Sequence, residues 1–293
     1  MILASIDIGS NAIRLLFANI FENNKGVPTF VRTAFLRVPI RLGSDVFLNG
    51  QIALEREQKL LKTLAAFKTL IDVNDAVAYA AVATSAMREA ANGAQIITRI
   101  EKELGIGVRI IDGYEEAEII REAGENSACS EFPMTMFVDV GGGSTEISIQ
   151  KNNQFITSQS FDLGTLRLLN ETENPEEWTR LNDWLMQFEP YFGQIQCVGS
   201  GGNINKIAKL FGDKDTRIIT LKQFEKAYKN LSKLTIPERM EEYNLRSDRA
   251  DVIVPASEIY LKIMTTIQAD QIVAPKIGLA DGLVINLYKK LSA

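Results

Sequence analysis

Apolar and β-branched residues cluster over three early stretches, 2–8, 13–20 and 28–38, predicting three strands followed by a glycine-punctuated turn. The spacing then changes. From Gln51 to Ile71 the apolar positions Leu60, Leu61, Leu64, Phe67, Leu70 and Ile71 recur at helical intervals. Ala76 to Ala83 reads as a buried strand, and Thr84 to Leu104 as a helix stopped by Gly105. Val108 to Ile111 predicts a short strand and Tyr114 to Ala123 a helix. The pattern restarts at Met134. Met134 to Asp139, Glu146 to Gln150 and Phe155 to Phe161 predict an antiparallel meander. A helix at about 176–190, a strand at 195–198 and further helices follow, and a last strand, Gln271 to Ala274, precedes a helix near 281–290.

The restart is an internal repeat. Ile6-Asp7-Ile8-Gly9-Ser10-Asn11 and Val138-Asp139-Val140-Gly141-Gly142-Gly143-Ser144 share one order: apolar, Asp, apolar, Gly, then small polar. Two copies of a βββαβ-type half suggest pseudo-symmetric lobes with a cleft between them. No low-complexity linker separates the copies, so the boundary is expected near Glu125 to Phe132. This gives domains 1–125 and 126–293, with the C-terminal helix packing back on the first.

The chain has 293 residues, 46% hydrophobic and 24% charged, enough for a core in each half. A net charge of -5 argues against a general nucleic-acid binder, although a local cleft can still be basic. Cys129 and Cys197 lack ligand-like spacing and read as reduced thiols in a cytoplasmic protein. No leader-like or membrane-spanning run is expected. The absence of histidine removes Ser-His-Asp and Cys-His chemistry, histidine zinc sites and histidine bases. Chemistry must come from carboxylates, amides, hydroxyls, Arg, Lys and metal.

Four segments carry such groups. At Asp7, Gly9, Ser10 and Asn11 a tight turn could bring amides to a phosphate while Asp7 holds a metal or its water; an ordinary Asx-type hairpin would use the same residues. Gly141, Gly142, Gly143 and Ser144 suit a turn that wraps phosphoryl oxygens, and Asp139 and Glu146 bracket it, placed to share one Mg²⁺. A flexible hairpin is the plainer alternative. Ser200, Gly201 and Gly202 lie between a strand and a helix, an anion-binding arrangement that is equally a tight connection. Glu115 and Glu116 crowd a helix start, where carboxylates serve the macrodipole but could also orient or deprotonate water. Arg88 is either a solvated helix residue or a counter-charge for a transferring phosphoryl group.

In order along the chain, these segments resemble the Ppx/GppA phosphatases. The matching stretches are Ile6 to Asn11, Ala83 to Arg88, Gly113 to Ala117, Val138 to Glu146, Leu163 to Arg167 and Gly199 to Gly202, extended by Arg249-Ala250-Asp251 and Gly278 to Gly282. The resemblance implies an α/β fold. This is the two-domain actin-like, sugar-kinase and heat-shock-ATPase superfold, made of duplicated ribonuclease H-like domains around an interdomain cleft. It implies the short form, without added C-terminal helical domains. It also implies release of orthophosphate from polyphosphate or guanosine pentaphosphate, with Mg²⁺, Mn²⁺ or another divalent cation, and suggests a homodimer. By the same resemblance Glu116 is the general base, with Glu115 as second choice. Asp139 and Glu146 are the metal-associated acids, and Asn11, Arg88, Gly141 to Ser144 and Ser200 to Gly202 contact phosphate.

Four positions depart from the family pattern: Ala12, Asn203 and Ala280-Asp281 stand where the family favours serine, threonine and arginine-glutamate. They leave open a second class, a paralogue that binds guanosine tetraphosphate, a nucleotide or short polyphosphate without turnover. A kinase of the same superfold is the third.

Overall fold

The computed structural model describes residues 1–22, 27–125 and 131–292. Backbone contacts divide the chain into two compact units, Met1–Ile119 with Leu279–Ala293, and Ile120–Gly278. The stretch in which the sequence places the boundary lies partly outside the described residues, at 126–130, as does Cys129.

In the first unit β1 (Ile2–Ile8), β2 (Ile13–Glu22) and β3 (Pro28–Val38) form the expected antiparallel meander. Helices α1 (Leu42–Asn49) and α2 (Leu54–Val73) lead to β4 (Ala78–Ala83). Helices α3 (Ser85–Glu89) and α4 (Gly93–Leu104) lead to β5 (Arg109–Ile110) and α5 (Gly113–Gly124). The sheet order is β3-β2-β1-β4-β5, with β1, β4 and β5 parallel. Alternate residues supply two cores. Ala4, Ile6, Ile8, Ile13, Leu15 and Phe17 pack with Leu42, Leu60, Leu64 and Ile100, while Leu3, Leu16, Ala18 and Ile20 pack with Ala280, Val284 and Tyr288 of the C-terminal helix. A central strand buried on both faces explains why β1 reads as largely apolar rather than alternating.

Two local features differ from the sequence expectation. The turn after β3 contains α1, whose start docks on the first glycine turn through Arg41 N–H to the Asn11 carbonyl and Gly43 N–H to the Ser10 carbonyl. The helix expected over 84–104 is broken in two. At the break, the Asn92 side chain accepts from Ile52 N–H and donates to the Ile52 carbonyl, at 3.0 and 2.8 Å. A distant backbone segment thereby stabilises a break that helical spacing alone does not reveal.

The second unit repeats the plan. β6 (Met134–Val140), β7 (Thr145–Lys151) and β8 (Gln154–Phe161) are the second meander, followed by α6 (Thr165–Leu169), α7 (Pro175–Met186), β9 (Ile195–Ser200) and α8 (Gly202–Phe211). Then come β10 (Ile218–Thr220), α9 (Leu221–Lys233), α10 (Ile236–Tyr243), α11 (Ser247–Ala250), α12 (Ile253–Thr266), β11 (Gln271–Val273) and, closing the chain in the first unit, α13 (Leu279–Ser292). The sheet order is β10-β11-β9-β6-β7-β8. Read from the β8 edge, the antiparallel β8, β7 and β6 followed by the parallel β9 and β11 reproduce the order of the first sheet, and β10 adds an antiparallel edge strand. This is the α/β, duplicated actin-like architecture expected from the sequence. One core lies under β6, β7 and β9, where Met136, Val138, Ile147 and Cys197 meet Leu181, Ile207, Phe224, Ile259 and Tyr260. No helix among the described residues is long and apolar enough to cross a membrane.

Gly282 lets α13 seat in the first unit. A Cβ there would lie 2.2 Å from the Ile119 carbonyl oxygen. Gly282→Ala is therefore expected to cost roughly 1–3 kcal/mol through overpacking, read as a lowered midpoint in thermal circular dichroism. An unchanged midpoint would show that the helix seats without this close approach.

Candidate functional site

Each meander carries a four-residue glycine turn at its first hairpin, and the two turns are held in the same way. In the first unit Ser10 and Asn11 offer their carbonyls to Gly43 and Arg41, at the start of α1. In the second unit the carbonyls of Gly141 and Gly142 accept from Thr165 N–H at 3.0 Å and Leu166 N–H at 2.8 Å, at the start of α6. The Gly143 carbonyl accepts from Arg167 Nε at 2.7 Å. With the carbonyl side of this turn occupied, the N–H groups of Gly142, Gly143 and Ser144 have no acceptor among the described residues. Successive amides presented in this way form an anion-binding concavity. Gly164 makes the contact possible, because a Cβ there would sit 2.4 Å from the Gly143 carbonyl carbon.

Strand register decides what flanks each turn. In the first unit Asp7 faces Arg14 across β1 and β2, and the two form an ion pair with Asp7 almost fully buried. In the second unit the same positions are Asp139 and Glu146, facing each other across β6 and β7 with carboxylate oxygens within 4.8 Å. Glu146 is 2% exposed. At an effective dielectric of about 20, like charges at that separation repel by about 3 kcal/mol. Two hard oxygen donors converging on one point suit a divalent cation. The Ser200 hydroxyl donates to Asp139 Oδ1, and the Ser160 hydroxyl donates to Glu146 Oε1 at 2.8 Å. Both carboxylates are thus oriented, as metal-binding acids require.

Gly201 continues the pattern. Its φ of +86° disfavours any side chain, and a Cβ would lie 2.7 Å from Asp139 Oδ1. Gly202 opens α8, and its carbonyl accepts from Arg249. Lys206, one turn further on, has its pKa lowered by burial and by the nearby Lys209 and Arg249 charges. Lys206 and Lys209 along α8 and Arg249 beside Gly202 thus bring three positive charges near one another in an acidic protein. Beneath the strand ends, the Tyr260 phenol is held well above its ordinary pKa, first by burial and then by the Asp139 and Glu146 charges.

In the first unit Glu115 and Glu116 differ in environment. Glu115 lies at the surface, 2.5 Å from Arg109, whose pKa the contact raises. Glu116 is buried at 7% exposure in the first turn of α5. Arg88 is half-buried, and its guanidinium donates to the Ile111 carbonyl at 2.8 Å. The Ser10 hydroxyl meets the Ser85 hydroxyl at 2.8 Å and accepts from Ala86 N–H, which joins two of the resemblance segments. Of the departures, Ala12 is fully buried and Ala280 packs against the sheet. Asp281 pairs with Arg32 at 2.6 Å. Arg167, Arg249 and Tyr260 received no role from the sequence; all three act on backbone carbonyls of residues distant in the chain, a signal that residue spacing cannot carry.

A sequence model of the Ppx/GppA phosphatase family matches residues 20–291. Exopolyphosphatase 1 of Mycobacterium leprae is 24% identical over 98% of this chain and 89% of its own. Guanosine-5'-triphosphate,3'-diphosphate pyrophosphatase of Vibrio cholerae is 22% identical over 98% of this chain and 59% of its own. The crystal structure of the Aquifex aeolicus Ppx/GppA family member superposes with a TM-score of 0.77 at 27% identity, covering 100% of this chain and 99% of that one.

Gly164→Ala is expected to push the second glycine turn away from α6 and to cost roughly 1–3 kcal/mol. Trp178 and Trp184 both lie on α7 of the second unit, so urea unfolding followed by tryptophan fluorescence reports the change there. A wild-type midpoint would refute the clamped-turn geometry.

Proposed function

We propose, because the chain belongs to the Ppx/GppA phosphatase family, that it is a divalent-cation-dependent phosphoanhydride hydrolase. Its substrate in this reading is inorganic polyphosphate, guanosine pentaphosphate or both, from which it releases terminal orthophosphate. The observation that carries the reading is the pairing of half-buried Asp139 with buried Glu146 beside a turn whose Gly142, Gly143 and Ser144 amides have no acceptor among the described residues.

The roles follow from the local chemistry. Asp139 and Glu146 hold the cation, Mg²⁺ or Mn²⁺, which when bound offsets charge on the phosphoryl oxygens. Asp7 is a third candidate acid, with Arg14 already competing for its charge. The amides of Gly142, Gly143 and Ser144, with Ser10, Asn11, Ser200 and Gly202, hold phosphate oxygens, while the Gly141 and Gly201 N–H groups shape the loops by donating to the Ser144 and Ile277 carbonyls. Arg88, with part of its guanidinium anchored on the Ile111 carbonyl, neutralises charge developing on the transferred group. Glu116 orients and deprotonates the attacking water, and its burial favours it over the ion-paired Glu115. Catalysis is then a matter of positioning and charge neutralisation, as phosphoryl transfer requires. The neighbouring positive charges of Lys206 and Lys209 on α8 and of Arg249 beside Gly202 support a polyanionic substrate.

Phosphate release from long polyphosphate and from guanosine pentaphosphate tests this directly. With Mg²⁺ the wild type is expected to turn over at least one, and Glu116→Gln to lose about two to four orders of magnitude in rate. Glu115→Gln is expected to stay within a few-fold, since only a surface ion pair is lost. No release by the wild type, with tight binding of either compound in calorimetry, would favour the ligand-sensing class suggested by Ala12 and Asn203.

A further inference from the structure

The Asp139 carboxylate sits at the end of β6, where the ladder with β9 runs out. The parallel register pairs Asp139 with Ser200 as its last step, and Gly201 then turns away with φ +86°. Val140, the next residue of β6, has no β9 partner. Its N–H donates instead to the Tyr260 hydroxyl at 3.3 Å. That hydroxyl donates to the Ser200 carbonyl at 2.8 Å and lies 3.4 Å from the Val138 carbonyl. One phenolic oxygen therefore touches the residues on both sides of Asp139, and also the residue whose hydroxyl orients the Asp139 carboxylate.

Tyr260 reaches this point from below. It is 1% exposed on α12, within the core of the second unit and with its ring beside that of Phe224. A phenylalanine would pack in nearly the same volume, so core filling alone does not require the hydroxyl. A buried hydroxyl needs partners, and here they are the strand ends under an acid.

We propose that Tyr260 is a positioning residue: its hydroxyl splices the ends of β6 and β9 and so fixes the Asp139 carboxylate and the Ser200 hydroxyl for cation binding. The inference rests on the cation role proposed above for Asp139. Hydrogen-bond partners behind a ligating carboxylate typically contribute about 10- to 100-fold to metal affinity or activity. Tyr260 stands one step further back, through the backbone, so the lower end is expected.

The experiment compares wild type, Tyr260→Phe and Phe224→Leu. Phe224 packs against the Tyr260 ring with centroids 6.4 Å apart and touches no strand end through a polar atom, so its substitution controls for core damage. Mn²⁺ binding without substrate is measured by calorimetry and electron paramagnetic resonance, thermal midpoints by circular dichroism, and phosphate release with varied Mg²⁺. Tyr260→Phe is expected to weaken Mn²⁺ binding and raise the Mg²⁺ activation constant by about 10-fold. Phe224→Leu is expected to lower the thermal midpoint and leave both constants near wild type. Equal Mn²⁺ affinity in wild type and Tyr260→Phe, equal weakening in both variants, or no Mn²⁺ binding by wild type would each overturn the inference. Failure of the hydrolase reading is separately visible: wild type would release no phosphate, while Mn²⁺ binding still depended on Tyr260.

Discussion

The hydrogen bonds that clamp each glycine turn by its carbonyls are the constraint on which the rest of the site depends. In both units the helix after the third strand begins by donating N–H groups to the turn at the first hairpin. This single interaction fixes where that helix starts and closes the meander on itself. In the second unit it leaves the Gly142, Gly143 and Ser144 amides without an acceptor among the described residues. The long-range glycine, Gly164, follows from it, since a side chain there would strike the turn backbone. Anion binding by such a turn needs no dedicated charged side chain, which suits a chain without histidine and with net negative charge.

Duplication then permits divergence at one register position. Asp7 and Asp139 occupy equivalent places before their turns, but the residue across the hairpin is Arg14 in one copy and Glu146 in the other. The first copy neutralises its own acid and becomes a stable support for Ser10 and Asn11. In the second copy two carboxylates converge, and a bound cation would relieve the cost of that convergence. A difference of one residue separates a structural ion pair from a candidate metal centre. The hydroxyls of Ser160 and Ser200 aim the two acids, and the Tyr260 phenol braces the strands beneath them.

Much of this was legible in the sequence. The two meanders, the glycine turns and the repeated Asp-apolar-Gly order are local signals. They identified β1 to β3 and β6 to β8 within a few residues, and most of the residues discussed above. The features missed are set by contacts distant in the chain. Helix α1 was hidden behind Gly43 and Gly50, which read as turn residues until Gly43 is seen bonded to Ser10. The break between α3 and α4 depends on Asn92 meeting Ile52, and β10 is three residues long and, among the described residues, paired with β11 alone. Arg167 and Arg249 stand in the stretches that carry the resemblance, but their bonds to the Gly143 and Gly202 carbonyls, like that of Tyr260 to the Ser200 carbonyl, span 24 to 60 residues, so no spacing rule reveals them. Glu115 and Glu116 are indistinguishable by sequence position; burial and the Arg109 pair separate them.

The central claim is that water attacks the terminal phosphoryl group of bound polyphosphate or guanosine pentaphosphate. Turnover of polyphosphate or guanosine pentaphosphate in ¹⁸O-labelled water, with Mg²⁺, followed by mass analysis of both products, tests it most directly. The account predicts one labelled oxygen in the released orthophosphate and none in the remaining substrate. Label in the shortened chain or nucleotide, or transfer of the phosphoryl group to an added alcohol or nucleoside diphosphate with no label in orthophosphate, would contradict it.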